Sequence, residues 1–202
     1  MNGKLTFLLG ALWLGLIATG FGMLMVHDYS AGKDTPVSTF WPADSHLPHV
    51  DGRPTLIMFA HPRCPCTRAS LEELKVVMQQ CQGRMTAYIV FLQPEGKEEE
   101  WSHTELRQSA EAIPGVTVRS DDHGHEARCF QVETSGHVLL YDARQRLQFS
   151  GGITASRGHA GDNRGRTTLV GMLAHGAKSV GATPVFGCPL PDPKPETQGE
   201  KP

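Results

Sequence analysis

Thr55-Leu56-Ile57-Met58-Phe59-Ala60-His61-Pro62-Arg63-Cys64-Pro65-Cys66-Thr67-Arg68-Ala69 is the stretch that decides the fold. Thr55–Ala60 is a short apolar run of the kind that forms a buried strand. Beyond the cysteines, Leu71, Leu74, Met78 and Cys81 recur at helical spacing and define one buried face. Glu72 and Glu73 fall in the early turns, where a helix dipole favours acids, and Gly83 is a plausible stop. Cys64 and Cys66 therefore stand at a strand-to-helix junction. Free N–H groups and the helix dipole stabilise a thiolate there, and His61 and Arg63 can add positive charge. The competing reading is two structural thiols. Those usually sit singly among apolar residues, whereas this pair is flanked by Arg63, Pro65 and Thr67.

Working outward, strand and helix patterns alternate. Residues 86–92 are rich in β-formers. The acidic residues 95–100 read as a solvated loop. Ser102 with Glu105 matches a capping box, and Trp101 with Leu106 a hydrophobic staple. Pro114 and Gly115 end that helix. Residues 116–119 read as a strand, 122–130 as a short helix, 138–142 and 147–151 as a hairpin around 143–146, and 167–175 as the last helix. The order β-α-β-α-β-α-β-β-α predicts an α/β fold with a mixed central sheet.

On these residues the chain resembles the thioredoxin-like superfamily, above all its membrane-tethered thiol-disulfide interchange proteins and the RedB-like group. The pattern of Phe, four residues, Cys-x-x-Cys and Arg-Ala is met by Phe59, Cys64, Arg68 and Ala69. A second motif is Phe130-x-Val132 followed by Val138-Leu139-Leu140-Tyr141-Asp142, and the likeness extends to about residue 175. It implies a three-layer α/β/α sandwich and thiol-disulfide chemistry. Two departures stand out. The family's second cysteine falls on Thr67, because the pair here is Cys64-Pro65-Cys66. The family's cis-proline falls on Gly136, which tolerates unusual dihedrals without enforcing a cis bond. A Cys-x-Cys disulfide closes only as a tight ring, and strain makes such a bond more oxidising. Cys64 is the expected attacking thiolate and Cys66 the resolving thiol.

In such folds the loop before the last helix lies beside the cysteines. Here residues 151–166 are long, Gly-rich and polar. Arg157, His159 and Asp162 are candidates to shape a pocket or bind an anionic partner; the other reading is a solvated loop. The five cysteines are an odd number, so outside the cytoplasm at least one is free or shared. Cys81 lies on the apolar helix face. Cys188 is placed to reach Cys129 or the active pair, and spacing alone leaves both open.

Residues 5–26 carry no charge and, at about 1.5 Å per residue, reach across a bilayer core of roughly 30 Å. Lys4 precedes the stretch and Lys33 is the next basic residue after it, which favours a cytoplasmic N-terminus and a periplasmic-side domain. A cleaved signal peptide is the alternative; the long core and the lack of an Ala-x-Ala site favour a retained anchor. Ala11, Gly15, Ala18 and Gly22 share a helix face and permit a homodimer through the anchor. The domain reading is thus an anchor at 1–26, a linker at 27–50 with a short strand near 38–41, a thioredoxin-like domain at 51–177 and a Pro-rich tail at 178–202, disordered from 189. The chain has 202 residues, 20% of them charged, and a formal charge of −2. That balance gives no basic face for nucleic acid. The expected partners are the membrane and a redox partner protein.

No cofactor is required by this reading. Its main rival is a Cu(I) chaperone or sensor in which Cys64, Cys66 and His61 are soft ligands. The pair His123 and His125, beside Asp121 and Asp122, could add ligands but fits a helix start as well. A non-catalytic interaction module is a third reading. P-loop and Gly-x-Ser-x-Gly signatures are missing from the sequence.

Overall fold

The computed structural model describes residues 3–33, 35–50, 52–94, 96, 101, 103–177 and 181–190, arranged in two units, 1–30 and 31–202. The first is one helix, α1 (Gly3–Tyr29), with mean hydropathy 2.0 and none of its apolar window buried. It is long and apolar enough to cross a membrane, a property that a signal sequence shares.

The second unit is built on five strands. They are β1 (Thr55–Ala60), β2 (Thr86–Gln93), β3 (Val116–Asp122), β4 (Val138–Tyr141) and β5 (Leu147–Gly151), in the order β3-β2-β1-β4-β5. β1 pairs parallel with β2, and β2 with β3; β4 runs antiparallel to both β1 and β5. The helices are α2 (Pro65–Gln80), α3 (Glu105–Glu111), α4 (His125–Phe130) and α5 (Arg164–His175).

The strands sort their side chains by parity. Leu56, Met58 and Ala60 of β1 join Ala87, Ile89 and Phe91 of β2 in a core with Leu71, Leu74 and Val77 of α2, Leu106 and Ala110 of α3, and Leu169 of α5. Ile57 and Phe59, with Tyr88 and Val90, face Ala127 and Phe130 of α4, Trp101, Leu47 and Leu190. With both faces covered, β1 reads as an unbroken apolar run, which is why its sequence shows no alternation.

The described residues 32–33 and 35–49 of the segment expected as a linker are part of this fold, while its first residues, 27–29, continue α1. Trp41 packs edge-on to Phe130 and Tyr141, with centroids 5.2 and 5.4 Å away, and the Tyr141 hydroxyl donates to Ser38 O at 2.7 Å. Phe40 bridges Arg146 at the outer edge of β5. These apolar residues are scattered among prolines, so periodicity does not reveal them. The C-terminal segment behaves likewise: Thr183 pairs with Gly151, and Val185, Phe186 and Leu190 are buried. The proposed disorder from 189 therefore does not extend to Pro189 and Leu190, and residues 191–202 lie outside the described residues.

Two helix starts also differ. Thr104, not Ser102, caps α3, its hydroxyl accepting Arg107 N at 3.3 Å; Ser102 and most of the acidic loop lie outside the described residues. Asn163 caps α5, which begins at Arg164 rather than Thr167.

Candidate functional site

Cys64 occupies the N-cap of α2, with φ −82° and ψ 120°, and Pro65 follows in the first turn, where its missing N–H costs nothing. The turn closes through Cys64 N donating to His61 O at 3.1 Å and Thr67 N donating to Cys64 O at 3.0 Å. Cys64 is 1% exposed; Cys66 is half-buried. Thr67, at the position of the family's second cysteine, is buried. Its hydroxyl donates to His61 O at 3.1 Å and lies 2.9 Å from Ser135 Oγ, which itself accepts His61 N at 2.9 Å. With the Thr67 proton committed to His61 O, Ser135 donates to Thr67. The cysteine turn is thus tied to the segment that enters β4.

Gly136 sits in that segment with φ +85°, and no cis peptide is present among the described residues. Its N–H donates to Phe59 O at 2.7 Å, and Phe59 N donates to His137 O at 2.9 Å, which extends the β1–β4 ladder to the end of β1.

The third wall is the C-terminal segment. Ser135 N donates to Cys188 O and Leu190 N to Glu133 O, both at 2.8 Å, and Thr134 bridges Pro189 in antiparallel sense. This pairing lays Cys188 over the cysteine turn. Its backbone N–H donates to Cys64 Sγ at 3.3 Å, and its thiol also hydrogen-bonds that sulfur.

The electrostatics separate the three thiols. Burial raises Cys64, but the Cys188 thiol and the backbone N–H groups of Cys188, Cys66 and Thr67 outweigh it, and the net shift is downward. Burial raises Cys66, as do the charge on Cys64 and a hydrogen bond to it, while Arg157 opposes the rise. Burial and the same interactions with Cys64 push Cys188 up to about 12. Cys64 is therefore the most acidic of the three thiols, and the other two are held above their ordinary range.

Arg157 reaches the site from the long loop before α5. Its Nη1 donates to Gly187 O at 2.8 Å. The loop is fixed from below by Glu73, which the sequence suggested was an ordinary early-turn acid. Glu73 is 2% exposed; it accepts Gly161 N at 2.6 Å and Asn163 Nδ2 at 3.0 Å, and it pairs with Arg166 at 2.6 Å. His159 is exposed and hydrogen-bonds Arg157 O through Nδ1 at 2.7 Å. Asp162 is fully exposed and pairs with Arg166. Neither reaches the cysteines: the loop brings Arg157 to them and leaves His159 and Asp162 at its outer side.

The other expected sources of positive charge lie at the rim. Arg63 stands over Trp101 at 5.5 Å, and the His61 ring lies 4.9 Å from Trp101, with Nδ1 accepting Arg63 N at 3.1 Å. Among the described residues, the side chains whose ligand atoms converge within 4.8 Å are His46, His125 and Glu126, not Cys64, Cys66 and His61. Asp121 is buried and caps α4 by accepting Glu126 N at 2.7 Å and Ala127 N at 3.0 Å. Cys81 is buried, and Cys129 lies 3.5 Å from His125 Nε2. Of the two placements left open for Cys188, the structure has the one at Cys64.

Sequence reasoning did not single out Ser135 or Glu73. The signal for Ser135 was its place next to Gly136. For Cys188 it was the apolar Val185-Phe186 and Leu190 around it in an otherwise polar tail.

No family model matches the chain, and no curated protein matches it. Among solved structures it is similar to an uncharacterized conserved protein from Geobacillus kaustophilus, with 16% identity and a TM-score of 0.56 over 83% of this chain and 94% of that one. It is also similar to a hypothetical protein from Sinorhizobium meliloti 1021, with 20% identity and a TM-score of 0.55 over 83% and 97%. A secreted Mycobacterium tuberculosis disulfide oxidoreductase homologous to E. coli DsbE matches with 15% identity and a TM-score of 0.43 over 61% and 82%. The sheet order β3-β2-β1-β4-β5, with β4 antiparallel to its neighbours and helices on both faces, is the thioredoxin-like fold that the motif resemblance implied.

Proposed function

We propose that this protein is a membrane-anchored, extracytoplasmic thiol-disulfide oxidoreductase in which Cys64 attacks and Cys66 resolves. The observation that carries the reading is Cys64 at the N-cap of α2, with its thiol held below the ordinary range by converging N–H groups and the Cys188 thiol. In the forward step the Cys64 thiolate attacks a partner disulfide, forms a mixed disulfide and expels a partner thiolate. Cys66 then attacks Cys64 Sγ, releases the second partner thiol and closes Cys64–Cys66. The partner gains two electrons and the Cys-Pro-Cys pair loses them.

Charge coupling orders these steps. While Cys64 is a thiolate, burial and its charge together push the Cys66 thiol up. Once Cys64 is in a mixed disulfide that charge is gone, and Arg157 favours the Cys66 thiolate. The tight ring makes the product disulfide readily reduced. The apolar helix α1, with Lys4 before it, supports an anchored protein whose domain faces the periplasm.

The test is a redox titration of the full-length protein with thiol trapping and mass spectrometry. Interconversion of Cys64 and Cys66 as a two-electron couple is expected. A pair that stays reduced throughout an extracytoplasmic range of potential sinks the proposal.

A further inference from the structure

Cys64 is almost fully buried, and Cys188, from the chain's own segment 186–190, lies against its sulfur. That segment forms an antiparallel bridge beside residues 133–135, with Ser135 N donating to Cys188 O and Leu190 N to Glu133 O on the C-terminal side of Cys188. Main-chain pairing of this kind gives affinity through the backbone and leaves specificity to the side chain presented. The side chain presented here is a thiol, at the sulfur of the most acidic cysteine of the site. Two further contacts fix the segment. Arg157 holds Gly187 O, and Gly187 packs so closely on Ser135 that a Cβ there would run into Ser135 O. Cys66 lies within the same turn as Cys64, whereas Cys188 comes from 124 residues away.

We propose that Cys188 is a second disulfide partner of Cys64, and that residues 186–190 are a tethered peptide occupying the site of an incoming cysteine peptide. This rests on the thiol-exchange reading above. A mixed disulfide between Cys64 and a partner thiol has two internal exits. Cys66 attacks Cys64 Sγ and closes the short ring, or the Cys188 thiolate attacks the same sulfur and closes Cys64–Cys188. Either exit expels the partner thiolate, which takes up a proton. Summed over both steps, the partner disulfide takes up two electrons and two protons, and the two protein thiols become one disulfide. The long loop closed by Cys64–Cys188 escapes the ring strain of Cys-Pro-Cys, so this exit stores the oxidised state and shields Cys64 from further exchange.

The experiment uses full-length Cys66→Ser in detergent, equilibrated with oxidised glutathione, acid-quenched, alkylated and mapped by mass spectrometry. The expected product is a peptide linked through Cys64 and Cys188, with little glutathione left on Cys64. In Cys66→Ser/Cys188→Ser the glutathione adduct on Cys64 rises at least about tenfold, because the tethered thiol no longer competes at high effective concentration. Gly187→Val in the Cys66→Ser background displaces the segment with all other thiols in place, and the same rise is expected. If Cys64 of Cys66→Ser carries glutathione while Cys188 is alkylated, the inference is overturned and the thiol-exchange reading survives. If Cys64 is alkylated with neither adduct nor link, both fall.

Discussion

The backbone N–H of Cys188 donates to Cys64 Sγ across 3.3 Å, joining residues 124 apart in the chain. A sulfur that accepts this bond, the bond from the Cys188 thiol and those from Cys66 N and Thr67 N carries its charge more easily than a free thiol, burial notwithstanding. Alkylation of Cys64 by iodoacetamide should therefore follow a pH profile with its midpoint below the ordinary value of 9.0. In Cys188→Ala, which removes the thiol donor, the midpoint should move up. A profile at or above 9.0 in the native protein would contradict the assignment of Cys64 as the thiolate.

Arg157 is the cation that reaches the thiols, and it also clamps Gly187 O. Arg157→Gln should slow resolution by Cys66 several-fold, on the order of the tenfold that one pKa unit represents. The global melting temperature should change little, since the side chain is only part-buried. Stopped-flow decay of a mixed disulfide between Cys64 and thionitrobenzoate reports this rate directly.

Glu73 is the buried anchor of the loop that carries Arg157. Glu73→Ala leaves Gly161 N without its acceptor and removes the buried partner of Arg166 and Asn163, which keep only exposed Asp162 and Gly161 O. Breaking a buried pair on one side costs about 3–5 kcal/mol, so a large fall in stability is expected in chemical denaturation. A loss under about 1 kcal/mol would mean that the loop is held some other way.

Gly136 has φ +85°, and an added Cβ would lie 2.8 Å from Ser70 Oγ. Gly136→Ala should cost about 1–3 kcal/mol through the left-handed backbone alone. The double variant Gly136→Ala/Ser70→Ala removes the steric part and should recover only the remainder, which thermal melts can resolve.

Asp142 organises the β4–β5 turn by accepting Arg144 N and Arg146 N, both at 2.9 Å, and pairing with Arg146. Burial acts to raise its pKa, but these bonds and the Arg146 charge hold the carboxyl below the usual carboxylate value. A lowered folded value means the stabilisation is complete above the unfolded value and is lost as pH falls through the folded one. Asp142→Asn should cost about 1 kcal/mol at neutral pH, discounted for partial exposure, and progressively less in acid. Equal losses at both extremes would show that charge is not involved.

Elements with a local signal are legible along the chain. The apolar run of β1, the 3.6-residue spacing of α2, the hairpin at 138–151 and the uncharged stretch of α1 are each set by nearest neighbours along the chain. From their order followed the mixed sheet, and from the strand-to-helix junction the candidate cysteine pair. Tertiary structure alone decided what surrounds that pair. Trp41 and Leu47, in the expected linker, and Leu190, in the expected tail, have no periodicity because they cover the sheet from irregular segments. Ser135 and Glu73 look like ordinary polar residues until the fold removes water from them and supplies partners distant in sequence. Cys188 reaches Cys64 only because the bridge between Thr134 and Pro189 closes a long loop, and that pairing is a property of the folded surface on which it lies.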